Sequence, residues 1–449
     1  MADPISLLKE LIKIPSVSAD PNRRQDARKT AEFIENKLKK LGAETAIVEN
    51  EVEGLNPLLL GKLGNNPDKF TVAIYSHYDV QPALKSDGWA TEPFEPIEKD
   101  GYIYGRGASD DKGPIAATLT AVEEIVSSGD LPVNFRFIYE GEEESGSGGF
   151  EKTLSKHADF LGKIDGIMIL DTAWFSDNAP GMDYGFRGLA YMGIEIQGPK
   201  KDIHSGLAGG IIREPMTDLV KILAQLHDEN HKATIPGFYN DVVPVTPEEE
   251  QFYENIDFDI DEFKKANGIP SLLSDDKKTI LMDNWRNPCL SIHGIEGAFY
   301  EPGAKTVIPG KVIGKVSMRL VPNQDPSKIA KLFTEYVEQL FKELKSPNKL
   351  KVYTYGTGDW WYGDPNSFLY SKARKILKEY WGIEPTLTRS GGSIPIIPFM
   401  EKLFDAPAIA IGIGQNSDGA HSQNERVRIK NIVGAKEVLK LYFSELSKS

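Results

Sequence analysis

The chain has 449 residues, of which 40% are hydrophobic, and its 52 basic and 66 acidic side chains give a formal net charge of −14. This length allows two or three domains with sizeable cores, and the acidic balance argues against nucleic acid or a membrane surface as the main partner. A single cysteine, Cys289, excludes an intramolecular disulfide and a four-thiolate metal site. The N-terminus lacks a secretory-type pattern and no apolar run approaches ~18 residues, so the expected compartment is the cytoplasm.

The first third of the chain alternates helix-like and strand-like segments. Amphipathic spacing predicts a helix over 22–41, and residues 115–126 predict another. Short apolar runs predict buried strands at 71–76, 134–139 and 166–170. Each run ends at ionisable residues, namely His77 with Asp79, Glu140, and Asp171. Because open α/β sheets bind ligands at the carboxyl ends of their strands, these ends indicate one shared site.

From about residue 184 the pattern changes to segregated strands and helices, which is typical of an α+β domain. Strands are predicted at 188–198 and 310–321, and helices around 214–229 and 326–345. The α/β pattern resumes near 354, with a helix around 366–381 and a strand at 407–414.

The chain is therefore predicted to have an α/β fold made of two domains. An α/β/α domain with a central, mostly parallel sheet would comprise residues 1–183 and 354–449. An α+β domain, residues 184–353, would be inserted into it.

Two segments near the predicted strand ends have metal-ligand chemistry. His77 and Asp79 point the same way on an extended chain, so a carboxylate could bind one imidazole nitrogen and leave the other for a metal. GRGASDDKGP at 105–114 superficially resembles a dinucleotide-binding loop, but Asp110 replaces the third glycine. Its charge would repel a pyrophosphate, whereas it suits a cation.

Three further segments add carboxylates and an imidazole. EGEEESGSGG at 140–149 places several carboxylates directly after a strand, where they would repel one another without a cation. A solvated acidic loop is the alternative, and the position at a strand end argues against it. Asp171 lies in LDTAW and His421 in GAHSQNE. Imidazole and carboxylate ligands without thiolate suit zinc, manganese or cobalt.

The remaining histidines and the cysteine have simpler interpretations. His227 and His231 have an i, i+4 spacing, but Asp228 replaces the glutamate of the metalloprotease motif and the surroundings are polar, so a solvated helix end is favoured. His157 and His293 lack a supporting motif and are interpreted as structural, and Cys289 as a small apolar residue. The absence of a G-x-S-x-G elbow and of a Cys/His pair disfavours covalent hydrolysis.

Seven motifs occur in the order SHYDVQP, GRGASDDKGP, EGEEESGSGG, HSG, VIPGKVIGKVSMRLVP, GGSIPI and GAHSQNE. Together, from about 70 to 430, they resemble the di-zinc metallopeptidase family of carnosine and nonspecific dipeptidases, aminoacylase, acetylornithine deacetylase and glutamate carboxypeptidase. The cytosolic nonspecific dipeptidase branch is the most similar. The resemblance implies a metal-dependent hydrolase that cleaves the amide bond of dipeptides or short peptides with a free C-terminal carboxylate.

The resemblance also implies two divalent metal ions per subunit, with zinc expected and manganese or cobalt as alternatives. Asp110 would bridge the ions. The other ligands would be His77 and Asp171 at one ion and Glu144 and His421 at the other.

Glu143 falls on the family's catalytic general base, and Asp79 on the residue that orients His77. The run of glutamates at 142–144 leaves this register open by one residue, and the Ser-Gly that follows it in the dipeptidase branch selects Glu144 as the ligand. A cis peptide after Asp110 is also implied.

The inserted domain would act as a lid and dimerisation domain. His204, in DIHSG, would reach the active site of the partner subunit of a homodimer. The substrate carboxylate would be held by Thr306, Arg319, Gly392 and Ser393. Several dipeptidases have a histidine in the segment that reads TYGTGDWW here, where Tyr355 and Gly356 stand instead, which leaves the exact substrate open.

Three functions therefore remain open. The first is a dipeptidase or small carboxypeptidase, and the second is an N-acyl-amino-acid deacylase of the same family. The third is a catalytically silent binding protein on this scaffold, against which the intact ligand set and Glu143 argue.

Overall fold

The computed structural model describes residues 3–448, and the predicted helices and strands occur in it among others that were not predicted. In chain order the helices are α1 Pro4–Ile12, α2 Arg24–Lys40, α3 Lys112–Ser128, α4 Phe150–Leu161, α5 Ser205–Ala208, α6 Pro215–Leu223, α7 Pro247–Asn255, α8 Ile260–Asn267, α9 Lys277–Trp285, α10 Pro326–Glu343, α11 Phe368–Trp381, α12 Ile396–Phe404 and α13 Ile429–Leu446. No helix in this range combines the length and apolar character needed to span a bilayer.

The strands form two main sheets and three small ribbons. In chain order they are β1 Glu44–Val48, β2 Leu58–Leu63, β3 Thr71–His77, β4 Ile97–Lys99, β5 Tyr102–Tyr104, β6 Asn134–Glu140, β7 Gly166–Ile169, β8 Ala173–Trp174, β9 Gly181–Phe186, β10 Gly188–Gln197, β11 Ile203–His204, β12 Cys289–Glu296, β13 Val307–Ile308, β14 Lys311–Leu320, β15 Lys349–Gly358, β16 Trp361–Tyr362, β17 Thr386–Ser390, β18 Ala408–Ile411, β19 Gly414–Gln415 and β20 Arg426–Arg428.

The large sheet has the order β1-β2-β6-β3-β7-β18-β9-β16, with β17 also paired to β9. Its centre, β6-β3-β7-β18, is parallel, and the pairs towards both edges are mostly antiparallel. Both faces are covered by helices, which explains why β3 and β6 are buried along their whole length. Phe135 contacts Phe443 of α13 on one face, whereas Tyr75 contacts Phe150 of α4 on the other. The predicted α/β/α architecture is confirmed.

The second sheet has the order β12-β14-β10-β15 and is antiparallel throughout. Helices α6 and α10 cover one face and bury a separate apolar cluster that includes Ile194, Val316 and Phe333. Helix α10 begins with Pro326 after Asp325, whose carboxylate accepts the Lys328 N–H in an N-cap. This sheet and its two helices form the predicted lid.

The helix predicted around 214–229 ends early, at Leu223. The Asp228 carboxylate accepts the backbone N–H groups of Asn230 and Lys232, and this local bonding stabilises a turn in place of further helix. The i, i+4 spacing of His227 and His231 therefore does not lie on a helix. Instead, Nε2 of His227 lies 3.0 Å from the carbonyl oxygen of Leu290.

Part of the inserted segment packs back on the larger domain. Helices α7 and α9 enclose a small apolar cluster of Tyr253, Ile256, Leu281 and Trp285. Trp285 meets Phe175 edge-on, and Phe175 follows strand β8 of the larger domain. The inserted segment therefore contacts the larger domain through α9 in addition to forming the lid.

The two sheets exchange strands at Arg187, between β9 and β10, and again after Gly358. The boundaries predicted at 183/184 and 353/354 fall inside β9 and β15. We propose Arg187 and residues 359–360 as the hinges between the two domains.

Candidate active site

Six ionisable side chains meet at the carboxyl edge of the parallel strands. His77 ends β3, Glu143 and Glu144 follow β6, and Asp171 follows β7. Asp110 and His421 come from loops beside this edge. The donor atoms of His77, Glu143 and Asp171 lie within 4.8 Å of one another, and so do those of Asp110, Glu144 and His421.

Asp110 lies between the two histidines. Its Oδ1 is 2.8 Å from Nε2 of His77, and its Oδ2 is 3.0 Å from Nε2 of His421. Burial alone would raise the pKa of Asp110, but the hydrogen bonds from His421 and His77 hold it below its ordinary value. One carboxylate thus directs one oxygen to each group, which is the arrangement expected of a bridging ligand. The Asp110–Asp111 peptide is cis, as the resemblance implied.

Asp79 connects His77 to the glutamate pair. Nδ1 of His77 lies 3.1 Å from the carbonyl oxygen of Asp79 and 3.5 Å from its carboxylate, so a proton on Nδ1 leaves Nε2 free for a metal. The Asp79 carboxylate accepts the backbone N–H groups of Glu143 and Glu144 at 3.2 and 3.1 Å. Asp79 therefore orients the His77 ring and also holds the backbone that carries both glutamates, a second task that the sequence did not predict.

The two glutamates have different surroundings. Glu144 lies 2.9 Å from Nε2 of His421 and accepts hydrogen bonds from the Gln81 backbone and side chain. Glu143 has no such imidazole contact. Burial raises the pKa of Glu143 well above its ordinary value, and Asp171 and Asp79 raise it further. A carboxylate with a raised pKa suits proton transfer near neutral pH.

Glu425 is a buried residue of the site to which the sequence analysis assigned no role. Its carboxylate accepts the backbone N–H groups of Gly107, Ser109 and Asp110 and pairs with Arg106 at 2.8 Å. These bonds hold the loop that carries Asp110. Its place four residues after His421, in the same GAHSQNE segment, was the only sequence signal.

Two cavities meet at Glu143. The arginine cavity, of about 640 Å³, is lined by Asp110, Asp171, Asp183, Trp285, Thr388, Gly392 and three arginines, Arg187, Arg319 and Arg389. The lid cavity, of about 890 Å³, is lined by Leu189, Tyr191, Gly356, Pro395 and Phe399. Glu143, Arg319, Ser393 and His421 line both. A bound molecule at the metal-ligand groups can therefore extend into either cavity.

Arg319 and Ser393 lie at the junction of the cavities, and Nη1 of Arg319 donates to Oγ of Ser393 at 2.6 Å. The side chain of Arg187 donates through Nε to the carbonyl oxygen of Gly391, and the backbone N–H of Arg187 donates to the carbonyl oxygen of Gly392. The glycine-serine turn predicted to hold a carboxylate is thus bordered by two guanidinium groups.

His204 and Thr306 are not brought to the other site residues within one chain. They face each other across the β11–β13 ribbon, with Nε2 of His204 3.2 Å from Oγ1 of Thr306. Neither residue lines the arginine cavity or the lid cavity. His293, interpreted as structural, binds Ser317 and stacks on Tyr191.

The donor set fits two divalent cations. Four carboxylates and two imidazoles converge, and within residues 3–448 no lysine or arginine pairs with these carboxylates. Hydrogen bonds to Asp110 and Glu144 instead raise the pKa of His421 to about 10. Such a cluster of carboxylates is stabilised by added positive charge, which metal ions would supply.

The sequence profile of peptidase family M20/M25/M40 matches residues 73–445. The chain belongs to this family. The resemblance stated from the motifs is thereby confirmed, and the chain is a metallopeptidase of the M20 type.

Relatives of this M20 peptidase cover nearly its whole length. The Cys-Gly metallodipeptidase DUG1 of Candida albicans is 43% identical, with 99% of this chain and 95% of that protein covered. The beta-Ala-His dipeptidase of Mus musculus is 40% identical, with 99% of this chain and 93% of that protein covered. The metallo-carboxypeptidase Sso-CP2 of Sulfolobus solfataricus has a solved structure that superposes with a TM-score of 0.89, at 30% identity and complete coverage of both chains.

Proposed function

We propose that this chain is a two-metal dipeptidase, with zinc as the metal and the cytoplasm as its compartment. The observation that carries the proposal is the position of Arg319 and Ser393 beside Glu143 and the two metal-ligand groups. This arrangement provides an anion-binding group close to the reacting atoms, as a short peptide with a free C-terminus requires.

The chain's own residues have distinct tasks in this proposal. His77 and Asp171 would hold one cation, Glu144 and His421 the other, and Asp110 both. When bound, the cations would supply Lewis acidity, which would polarise the amide carbonyl and lower the pKa of a water molecule.

Glu143 takes the proton of the attacking water and gives it to the departing nitrogen. Arg319 and Ser393 hold the substrate carboxylate, which fixes the scissile bond relative to Glu143.

The proposal is tested with a panel of dipeptides, tripeptides and N-acyl-amino acids, assayed with zinc, manganese and cobalt. Dipeptides should be cleaved fastest. Faster cleavage of acyl-amino acids would favour the deacylase. Stepwise release of C-terminal residues from longer peptides would favour the carboxypeptidase, which is the second candidate because of the similarity to Sso-CP2. No cleavage of any substrate by metal-loaded protein would favour a binding protein.

Arg319→Ala should raise KM for free dipeptides by about ten- to a hundredfold, because a hydrogen bond to a charged group contributes about 1.5–3 kcal/mol. C-terminally amidated dipeptides should be poor substrates of the parent enzyme. Lys315→Ala is the matched control, since Lys315 lies on the same strand and pairs with Glu296. Equal cleavage of free and amidated dipeptides would contradict the role of Arg319.

We further propose a homodimer in which His204 of each subunit completes the site of the other. Two observations support this. His204 is exposed and remote from both cavities. Beside it, Leu207 and Ile211 are 77% and 78% exposed, as expected of residues that pack against a partner. His204 would then donate to the oxyanion formed during hydrolysis.

Subunit mixing tests the shared site. The His204→Ala and Glu143→Gln homodimers should each be nearly inactive. A mixed dimer has one site with an intact Glu143 and a donated, intact His204, so activity should return at one of its two sites. If mass spectrometry confirms exchange and no activity returns, the shared-site proposal is wrong.

A further inference from the structure

The arginine cavity contains a buried carboxylate that the proposed mechanism does not use. Asp183 lies within strand β9 and is only 7% exposed. The parallel register places it opposite Thr388 of β17, whose hydroxyl donates to Oδ1 of Asp183 at 2.7 Å. The other oxygen, Oδ2, has no hydrogen-bond partner among residues 3–448, and Asp183 is one of the residues that line the cavity. One half of this carboxylate is thus available to a ligand.

Asp183 also lacks a positively charged partner in residues 3–448. The nearby Glu249 shows the contrast, because it pairs with Arg389 at 2.7 Å and with Arg286 at 3.4 Å. A buried carboxylate with a single neutral hydrogen bond is costly to ionise. Accordingly, burial raises the pKa of Asp183 to about 7, against the lowering effect of Thr388. A cation in the cavity would restore the missing stabilisation.

The charges of the cavity suit a dipolar ligand. The guanidinium groups of Arg187 and Arg319 have no carboxylate partner within the described residues, and Arg319 is the proposed anchor of the substrate carboxylate. Asp183 provides the opposite charge in the wall of the same cavity. Arg319 and Glu143 border both cavities, so a peptide held at Arg319 with its amide at Glu143 reaches the wall that Asp183 lines when it extends into the arginine cavity.

We infer that Asp183 is a specificity-determining residue that binds a cationic group of the substrate through Oδ2. The inference rests on the proposed peptidase function. The shared chemistry is an ammonium or guanidinium group, which can be the free α-amino group of the peptide or the side chain of a lysine or arginine. Either source would give a preference for peptides over their uncharged analogues.

Matched substrates distinguish the two sources. The α-amino group is tested with Ala-Ala against N-acetyl-Ala-Ala, and the side chain with Lys-Ala against norleucyl-Ala and with Ala-Lys against Ala-norleucine. In at least one pair the parent enzyme should favour the cationic member in kcat/KM by about ten- to a hundredfold. Asp183→Asn should reduce that ratio to within about twofold of unity while leaving the uncharged member little changed.

A ratio within one variant does not depend on the folded fraction, so partial misfolding cannot imitate the result. Asparagine keeps the shape and the hydrogen bond from Thr388, and it removes a poorly solvated charge, so the Tm should not fall. Asp130→Asn is the matched control, because Asp130 pairs with Lys69 at an exposed position, where its side chain is 88% accessible. Its ratios should equal those of the parent enzyme.

Calorimetry of L-lysine against L-norleucine and of Ala-Ala against N-acetyl-Ala-Ala, on metal-loaded Glu143→Gln protein, measures binding without turnover. Tighter binding of the cationic ligand that is lost in Asp183→Asn would support the inference even if the substrate panel showed no peptidase activity. Failure of the proposed function and failure of the inference about Asp183 are therefore distinguishable. Equal ratios in the parent enzyme and in Asp183→Asn, by kinetics and by calorimetry, would show that Asp183 only accepts the Thr388 hydroxyl, and would overturn the inference.

Discussion

Glu143→Gln is expected to lower turnover by about 10²–10⁴-fold while both metal ions stay bound. The amide is similar in shape but cannot accept the proton of the attacking water. Glu143 has no hydrogen bond to an imidazole, whereas Glu144 lies 2.9 Å from His421. The substitution of Glu143 should therefore disturb the metal ligands less than a substitution of Glu144. Turnover is measured with saturating dipeptide, and metal content by elemental analysis of the same protein.

Glu144→Gln is the matched comparison, one residue along the chain. It removes a carboxylate that binds His421 and Gln81, so weaker metal binding should precede the loss of activity. Added metal should restore part of the turnover of Glu144→Gln and none of that of Glu143→Gln. Exchanged phenotypes would show that the glutamate register is wrong by one residue.

Removal of the metal ions is expected to abolish activity and to destabilise the site. Without cations, Asp110, Glu143, Glu144 and Asp171 are left with two histidines as their only ionic partners among the described residues. Chelator-treated protein should be inactive and should regain activity with zinc, manganese or cobalt.

Thermal unfolding supplies an independent readout of the same prediction. A cation that binds only the folded state raises the Tm with its concentration. His421→Ala should reduce this shift, whereas His157→Ala, at a partly exposed position of α4 outside the metal-ligand groups, should not. Full activity of protein shown by elemental analysis to be metal-free would contradict the two-metal proposal.

The alternating pattern of the first third correctly predicted β3, β6 and β7 and the helix α3 between β3 and β6, but not α4 between β6 and β7. This was possible because strands covered by helices on both faces are continuous apolar runs, and the change to ionisable residues marks where each strand leaves the core. The convergence of His77, Asp171 and the acidic segment that begins at Glu140 was expected from the rule that ligands bind at the carboxyl edge of such a sheet, whereas the choice of Glu144 within that segment came from the family resemblance. Asp110 and His421 needed the family motifs, because loops carry no periodicity.

The sequence alone predicted less about the boundaries and the supporting contacts. The helix predicted to 229 ends at Leu223, and the Asp228 carboxylate stabilises a turn further along by accepting the N–H groups of Asn230 and Lys232. Helical spacing alone does not reveal such local hydrogen bonds. The return of α7 and α9 to the larger domain was also not predicted, since Trp285 and Phe175 are far apart in the chain.

By itself, then, the sequence determined the α/β architecture, the family and the residue types of the metal-ligand set, because these depend on local periodicity and on short motifs. Only the tertiary structure decided that Asp110 directs one oxygen to each histidine, that Glu425 holds its loop and that Asp183 faces a cavity without a cationic partner. The physical reason is that hydrogen bonding and the ionisation of a carboxylate depend on groups brought together by folding, often hundreds of residues apart in the chain.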